Sequence, residues 1–417
     1  MSTTTPILQF IPHRYISFLA CVMVIVGMYL SRALMSIGMM LLIMNAVLNI
    51  HFKDYWKHFI RHPYLVCLSL YFLYAAVSGL WSENTGYLFQ RLQILLPFLT
   101  LPLAFISIGK WESKWVHWIL AIFILLNIGG IVWSLSLYFP NKAFYDAGYH
   151  YSHQIPTPFK QDHIRFSLSV VMSILFCVSF WNSYPQTRVR ILMLGIVVLD
   201  IFYLHILSVK SGLIAFYLIS FLYIIRFLFI AQYRKYGVLL MAILIMLPIL
   251  MYQISESFRT KIGYVRYSLE RMQNEMKETN ISDEGRLISY QFALEIIRTK
   301  PLSGVGYGDV FDAMQKKYDA EFGQGKTMPL IPHNQILMAG VAMGIPGIIL
   351  LLTMFILLWK QVRKQDFLFF CFMVLMSFAI SIEAFFETQY GMCLFLFFLL
   401  LLLQRKKNPP YLEALQG

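Results

Sequence analysis

The chain has 417 residues, 59% hydrophobic and 13% charged, with a formal net charge of +13. A water-soluble domain carries about 25% charged residues, so this composition excludes one. The cations are spread over many short segments without forming a patch or stripe, which also excludes nucleic acid as the reason for the basic balance.

Apolar residues gather in runs of roughly 17–25, the length an α-helix needs to cross hydrocarbon. The opening residues from Met1 to Ile11 alternate polar and mildly apolar character, and no small-residue cleavage pattern follows, so the first apolar stretch reads as a retained helix. In chain order, spans are expected near 16–30, 33–50, 64–80, 88–108, 115–139, 164–181, 191–208, 212–230, 237–253, 334–358, 367–384 and 391–404. The expectation is an all-α polytopic membrane protein of about twelve transmembrane helices. Its parts are a bundle of spans one to nine (1–253), a helical outer loop (254–333), and spans ten to twelve with a short basic tail (334–417). Cys21, Cys67, Cys177, Cys371 and Cys393 all fall inside expected spans without metal-ligand spacing, and read as packing residues.

Loops on alternate sides differ in charge. One set holds Arg14, Lys53, Lys57, Arg61, Lys110, Lys114, Arg188, Arg190, Arg226, Arg234, Lys235, Lys360, Arg363, Lys364, Arg405, Lys406 and Lys407 against Asp54, Glu112, Asp366 and Glu413. Its excess equals the +13 of the whole chain, so the opposite loops and span interiors sum to zero. Because cytoplasmic loops carry the excess of Lys and Arg, both termini are expected in the cytoplasm. The two long loops, roughly Pro140–His163 and Ile254–His333, are then expected outside. At about 80 residues the longer one is marginal as an independent domain and is expected to pack on the bundle. No internal repeat supports an inverted-repeat transporter.

Within the long loop, Ser282-Asp283-Glu284 is a helix start, and Ile288, Phe292 and Ile296 recur at helical spacing until Lys300, before Pro301. Gly304, Gly306 and Gly308 follow, and they permit either a structural turn or a close backbone approach to a ligand. A second short helix is expected over Val310 to Phe322, whose Asp319 and Glu321 read as a solvated face. The loop returns through Pro332 and His333 to Asn334, placed to cap span ten. His333 thus sits at a helix N-terminus, which disfavours imidazolium and suits a proton acceptor, although a plain surface histidine fits the same position. Lys210, in the very short turn between spans seven and eight, and Arg91, near the outer end of span four, are cations at membrane depth. Each faces either a cavity or the interface by snorkelling. Asp200, His205, Glu383 and Glu387 are candidate counter-ions.

Three blocks in this order resemble the O-antigen ligase and polymerase superfamily: Arg286 in Gly-Arg-Leu-Ile-Ser-Tyr, Pro301-Leu-Ser-Gly-Val-Gly-Tyr-Gly-Asp309, and Pro332-His-Asn-Gln-Ile336 opening a span that continues to Gly344-Ile-Pro-Gly347. The resemblance covers roughly 200–400. It implies a metal-independent, inverting glycosyl transfer from an undecaprenyl-diphosphate-linked glycan at the periplasmic face of the bacterial inner membrane, with no cofactor. It further implies His333 as general base and Arg286 and Lys210 around the donor diphosphate; Arg91, the other cation at membrane depth, is a further candidate for that site, and Asn334, Gly304, Gly306 and Gly308 are candidate supporting residues. The turn between spans seven and eight usually carries Ser-Arg in this superfamily, and here Ser208-Val-Lys210-Ser departs from it. A lysine neutralises phosphate as a point charge without the bidentate fork of arginine.

The implied reading is an O-antigen ligase with a lipid A-core acceptor. A polymerase extending the growing glycan, or a protein O-oligosaccharyltransferase, would use the same donor. A non-enzymatic lipid-linked glycan flippase would need membrane cations but no outer proton acceptor. The charge partition makes a direct prediction about sidedness. In intact cells, Gln324→Cys should react with an impermeant thiol reagent and Lys407→Cys should not; the reverse pattern would overturn the orientation.

Overall fold

The computed structural model describes residues 13–48, 52–108, 111–148, 155–273 and 282–405. Met1–Ile11, Lys110, Lys406, Lys407 and Glu413 lie outside the described residues. The described chain is helical, and its β content is a single bridge between Trp111 and Arg405. Every expected span coincides with an apolar helix. Among the described residues nine helices are long and apolar enough to cross a membrane, and three shorter ones, Arg32–Val47, Phe367–Ile382 and Gln389–Gln404, lie at the places of spans two, eleven and twelve. The protein is an all-α polytopic membrane protein.

Span six, His163–Ser183, is buried almost throughout and forms the centre of the bundle. Span nine, Arg234–Ile254, instead turns residues such as Leu239, Ile243 and Ile249 outward, as a lipid-facing helix does. Span four is two helices, Thr85–Leu95 and Pro97–Ile108, because the ring of Pro97 ends the first. A short amphipathic helix, Phe52–Arg61, precedes span three, and the outer helices are Lys142–Gly148, Glu256–Gln273, Ser282–Thr299 and Val310–Phe322.

The ion pairs respect the charge partition. Glu112 meets Arg14 at 3.9 Å and Lys114 at 2.7 Å, and Arg405 pairs with Asp366. All five residues belong to the basic set. Lys142–Glu256 at 3.2 Å, Arg91–Glu387 at 3.8 Å and Lys317–Glu295 at 2.7 Å join members of the opposite set. Between described residues no ion pair joins the two sets, so loops sharing a charge class share an end of the bundle.

Span ten, Gln335–Val362, is broken at Gly344, whose φ of 69° is left-handed. Pro346 has no N–H to give the carbonyl of Ala342, and the N–H of Ile345, due to Val341, turns away to Pro301 O at 2.7 Å. Two carbonyls are thereby freed at membrane depth, where an unpaired one costs several kcal/mol. The outer loop satisfies both: Val305 N donates to Val341 O at 2.8 Å and Gly306 N to Ala342 O at 3.0 Å. Tyr74 on span three donates to Met343 O at 3.2 Å. Asp309 then accepts from Glu83 N and Asn84 N at 2.8–3.0 Å, ahead of span four, and Gly308 N donates to Ser82 Oγ at 3.1 Å.

The close approach that the glycines permit is therefore to the chain's own backbone. A Cβ on Gly304, at φ 65°, would lie 2.6 Å from Ala342 C and Gly344 N, and one on Gly308 would lie 2.5 Å from Asn84 O. Gly304→Ala should cost on the order of 2–5 kcal/mol through left-handed strain and overpacking. Gly195→Ala, with nothing within 4 Å, should be neutral or slightly stabilising. Thermal melts of the two purified variants check this, and equal melting temperatures would refute the joint.

Candidate functional site

Span ten begins at the end of the bundle that carries the long loop. Asn334 caps it, accepting from Ile336 N at 2.8 Å and Leu337 N at 3.0 Å, while its amide donates to Ser381 O at 2.8 Å. The cap is made by Asn334 alone, so the imidazole of His333 is released from helix bookkeeping. His333 Nδ1 lies 2.8 Å from Oε1 of Glu383, the residue following span eleven. The other oxygen of Glu383 accepts from Arg286 Nη2 at 3.5 Å. Arg286 and Tyr290 are four residues apart on the helix Ser282–Thr299 and so share a face. The Tyr290 hydroxyl donates to His333 O at 2.7 Å. One helix face thus holds both the histidine backbone and the carboxylate beside its ring.

Burial alone would raise the Glu383 carboxyl, but the His333 hydrogen bond and charge, with Arg165 and Arg286 nearby, outweigh it and hold it below the usual carboxylate range. An ionised carboxylate only accepts, so Nδ1–H of His333 is the donor, and in the neutral ring this leaves the lone pair on Nε2. The side chains of His333 and Arg286 keep 21% and 25% exposure against 7% for Glu383. A ligand reaching this cluster therefore meets the histidine and the arginine, with the carboxylate less exposed than either.

The next carboxylate, Glu387, accepts from the Tyr307 hydroxyl and pairs with Arg91, which also donates to Glu387 O at 2.9 Å. Arg91 lies over the Tyr87 ring, 4.4 Å from its centroid. It is thus held inside the protein, not snorkelling. Gln335 binds the same segment, its Oε1 accepting from Phe386 N at 2.8 Å. Arg165, at the start of span six, donates to Ala384 O at 2.9 Å and pairs with Asp162 at 2.8 Å.

Lys210 opens span eight just after Ser208, whose φ is +51°, and its ammonium lies 5.5 Å from the Tyr264 ring centroid on the outer helix Glu256–Gln273. The structure brings His333 and Arg286 to Glu383 and Arg91 to Glu387, with Asn334 bonded to Ser381 just before that segment and Tyr307, between Gly306 and Gly308, bonded to Glu387. Gly304, Gly306 and Gly308 themselves pack on spans ten and three to four, and Lys210 lies near Tyr264. Glu383 and Glu387 are counter-ions to Arg286 and Arg91. Asp200 and His205 are not counter-ions to the candidate cations. Asp200 is buried in span seven with no hydrogen bond to its carboxylate among the described residues, and His205 bonds Ile201 O at 2.8 Å and the Tyr217 hydroxyl at 3.0 Å.

Residues 195–352 match the family model described as O-antigen ligase. The chain carries a domain of the O-antigen ligase superfamily. No curated protein matches the chain. The ligase-family segment contains Lys210, Arg286, the glycine joint and His333, whereas Glu383, Glu387, Arg91 and Arg165 lie outside it. Arg165 and Tyr290 escape a reading of the sequence. Arg165 sits one turn into an apolar span with Asp162 beside it and so adds nothing to the charge balance, and Tyr290 is one aromatic among 25 tyrosines. The available signal for Arg165 is its depth alone, because a charge inside a span needs a partner.

Proposed function

We propose that this protein transfers a glycan from an undecaprenyl-diphosphate-linked donor to an acceptor hydroxyl on the periplasmic side of the bacterial inner membrane, as an O-antigen ligase with a lipid A-core acceptor. The observation that supports it most is the His333–Glu383 pair at 2.8 Å, with Nε2 left free on an accessible ring beside Arg286. A flippase needs no such oriented base.

The acceptor oxygen attacks the anomeric carbon as the bond from that carbon to the diphosphate oxygen breaks, giving inversion. Nε2 of His333 takes the hydroxyl proton, and Glu383 stabilises the imidazolium that forms. The departing diphosphate keeps the electron pair and gains charge at its bridging oxygen. Fixed cations stabilise that charge without reorganising. Arg286, which shares Glu383 with His333, is the first candidate for this, and Lys210 and Arg91 complete the proposed donor set. Arg286 and Glu383 form a loose 3.5 Å pair, which an anionic donor can replace at small cost.

His333→Ala should leave folding and donor binding intact while transfer falls by roughly 10²-fold or more. Rate measurements on the purified proteins decide this, and near wild-type transfer by His333→Ala would sink the mechanism. Arg286→Ala should bind donor at least tenfold more weakly, because a charge-assisted contact contributes about 1.5–3 kcal/mol. Lys210→Arg should stay active. Unchanged donor affinity in both Arg286→Ala and Lys210→Ala would remove the two residues from the site. Lipopolysaccharide profiles of a deletion strain separate the acceptors: a lost ligase leaves lipid-linked polymer accumulating, and a lost polymerase leaves single repeats.

A further inference from the structure

Between spans eleven and twelve the chain has only one 3-10 turn, Phe385–Glu387, so regular structure does not fix where Glu383 points. Side chains from other spans do. The one that grips the peptide next to Glu383 is Arg165, which is 6% exposed. Its guanidinium spans two partners, with Nη1 2.8 Å from Asp162 Oδ2 and Nη2 2.9 Å from Ala384 O. Asp162 is itself fixed as the cap of span six, accepting from Arg165 N at 3.1 Å. The guanidinium also lies 5.5 Å from the Phe385 ring centroid. Gly391 closes the other side, where a Cβ would lie 1.9 Å from Phe385 O and 2.7 Å from Arg165 Nε.

A continuous set of contacts therefore runs from Asp162 through Arg165 and Ala384 to Glu383 and His333. Nothing in it requires Arg165 to reach substrate: Nη1 and Nη2 are taken by protein, Nε is buried without a hydrogen-bond partner among the described residues, and the side chain is 7% exposed against 21% for His333 and 25% for Arg286. Its charge, unlike a neutral donor, also opposes the burial of Glu383. A shift of about 1 Å at a reacting group can cost on the order of 10²-fold in rate, so the residue that sets the Glu383 backbone has leverage on the base.

We propose that Arg165 is a positioning residue that acts through Glu383, holding the carboxylate where it orients His333. This inference rests on His333 being the general base. Three features follow. Arg165→Gln should lower kcat for glycan transfer by about 10–100-fold while donor KM stays within about twofold. Arg165→Lys, which keeps the charge and one hydrogen bond, should recover part of the loss. The effect should also depend on Glu383, since residues acting as one unit are non-additive.

The deciding experiment is a double-mutant cycle on the purified full-length protein with lipid-linked glycan donor. In a Glu383→Gln background, Arg165→Gln should cost less than about threefold. An equal fold-loss in both backgrounds, or a raised donor KM with kcat retained, would overturn the assignment. Thermal melts accompany each variant. If Arg165→Gln fails to fold, Asp162→Asn takes its place in the cycle, since it leaves the guanidinium but loosens its aim. His333→Ala at near wild-type rate would instead defeat the base assignment, and this inference with it. A severe His333→Ala defect alongside additive Arg165 and Glu383 effects would defeat this inference alone.

Discussion

A backbone carbonyl in hydrocarbon must find a donor, and the outer face of this protein is organised by two that lost theirs. Gly344 and Pro346 break span ten and strip Val341 and Ala342 of their helical partners. The donors come from Val305 and Gly306, in the outer loop. This exchange docks the loop on the bundle and sets the stretch between Ser282 and Phe322 against the start of span ten. Arg286 and Tyr290 are brought to His333 as a result. The cluster around His333 therefore depends on a defect in a helix and on the segment that repairs it.

The second constraint is electrostatic. Three guanidiniums, from Arg91, Arg165 and Arg286, face two buried carboxylates, Glu383 and Glu387, on one short segment. Burying a charge is expensive unless it is paired and hydrogen-bonded, and each group here has a partner from a different span. Glu387 is the structural member, enclosed by Tyr307 and Arg91. Glu383 is divided between a close histidine and a looser arginine, both more exposed than itself. Its two more exposed members, His333 and Arg286, are those that any ligand entering the cluster would meet first.

Much of this architecture was legible in the sequence for a simple reason. Run length and loop charge are properties of contiguous residues, and the bilayer acts on both directly. The helices Ser282–Thr299 and Val310–Phe322 announced themselves through spacing and through Pro301 between them. The break at Pro97 within span four was lost because it lies inside one unbroken apolar run. Pairings across the fold left no local trace. His333 and Glu383 are 50 residues apart and Arg165 and Ala384 are 219 apart. The glycines showed only that something comes close; that the neighbour is a broken helix of the same chain is settled by the geometry of Gly344, far along the sequence.

The joint between Pro301–Gly308 and span ten also bears on how such a protein can be rebuilt. An outer loop held only by its two ends could be grafted between relatives as a cassette. Here the graft would leave Val341 and Ala342 facing a foreign turn, and Asp309 without the two amides that precede span four. The portable unit is larger: the loop, the kinked helix and the hairpin between spans three and four must travel together. Changes in what the outer face recognises are thereby confined to side chains projecting from a shared frame.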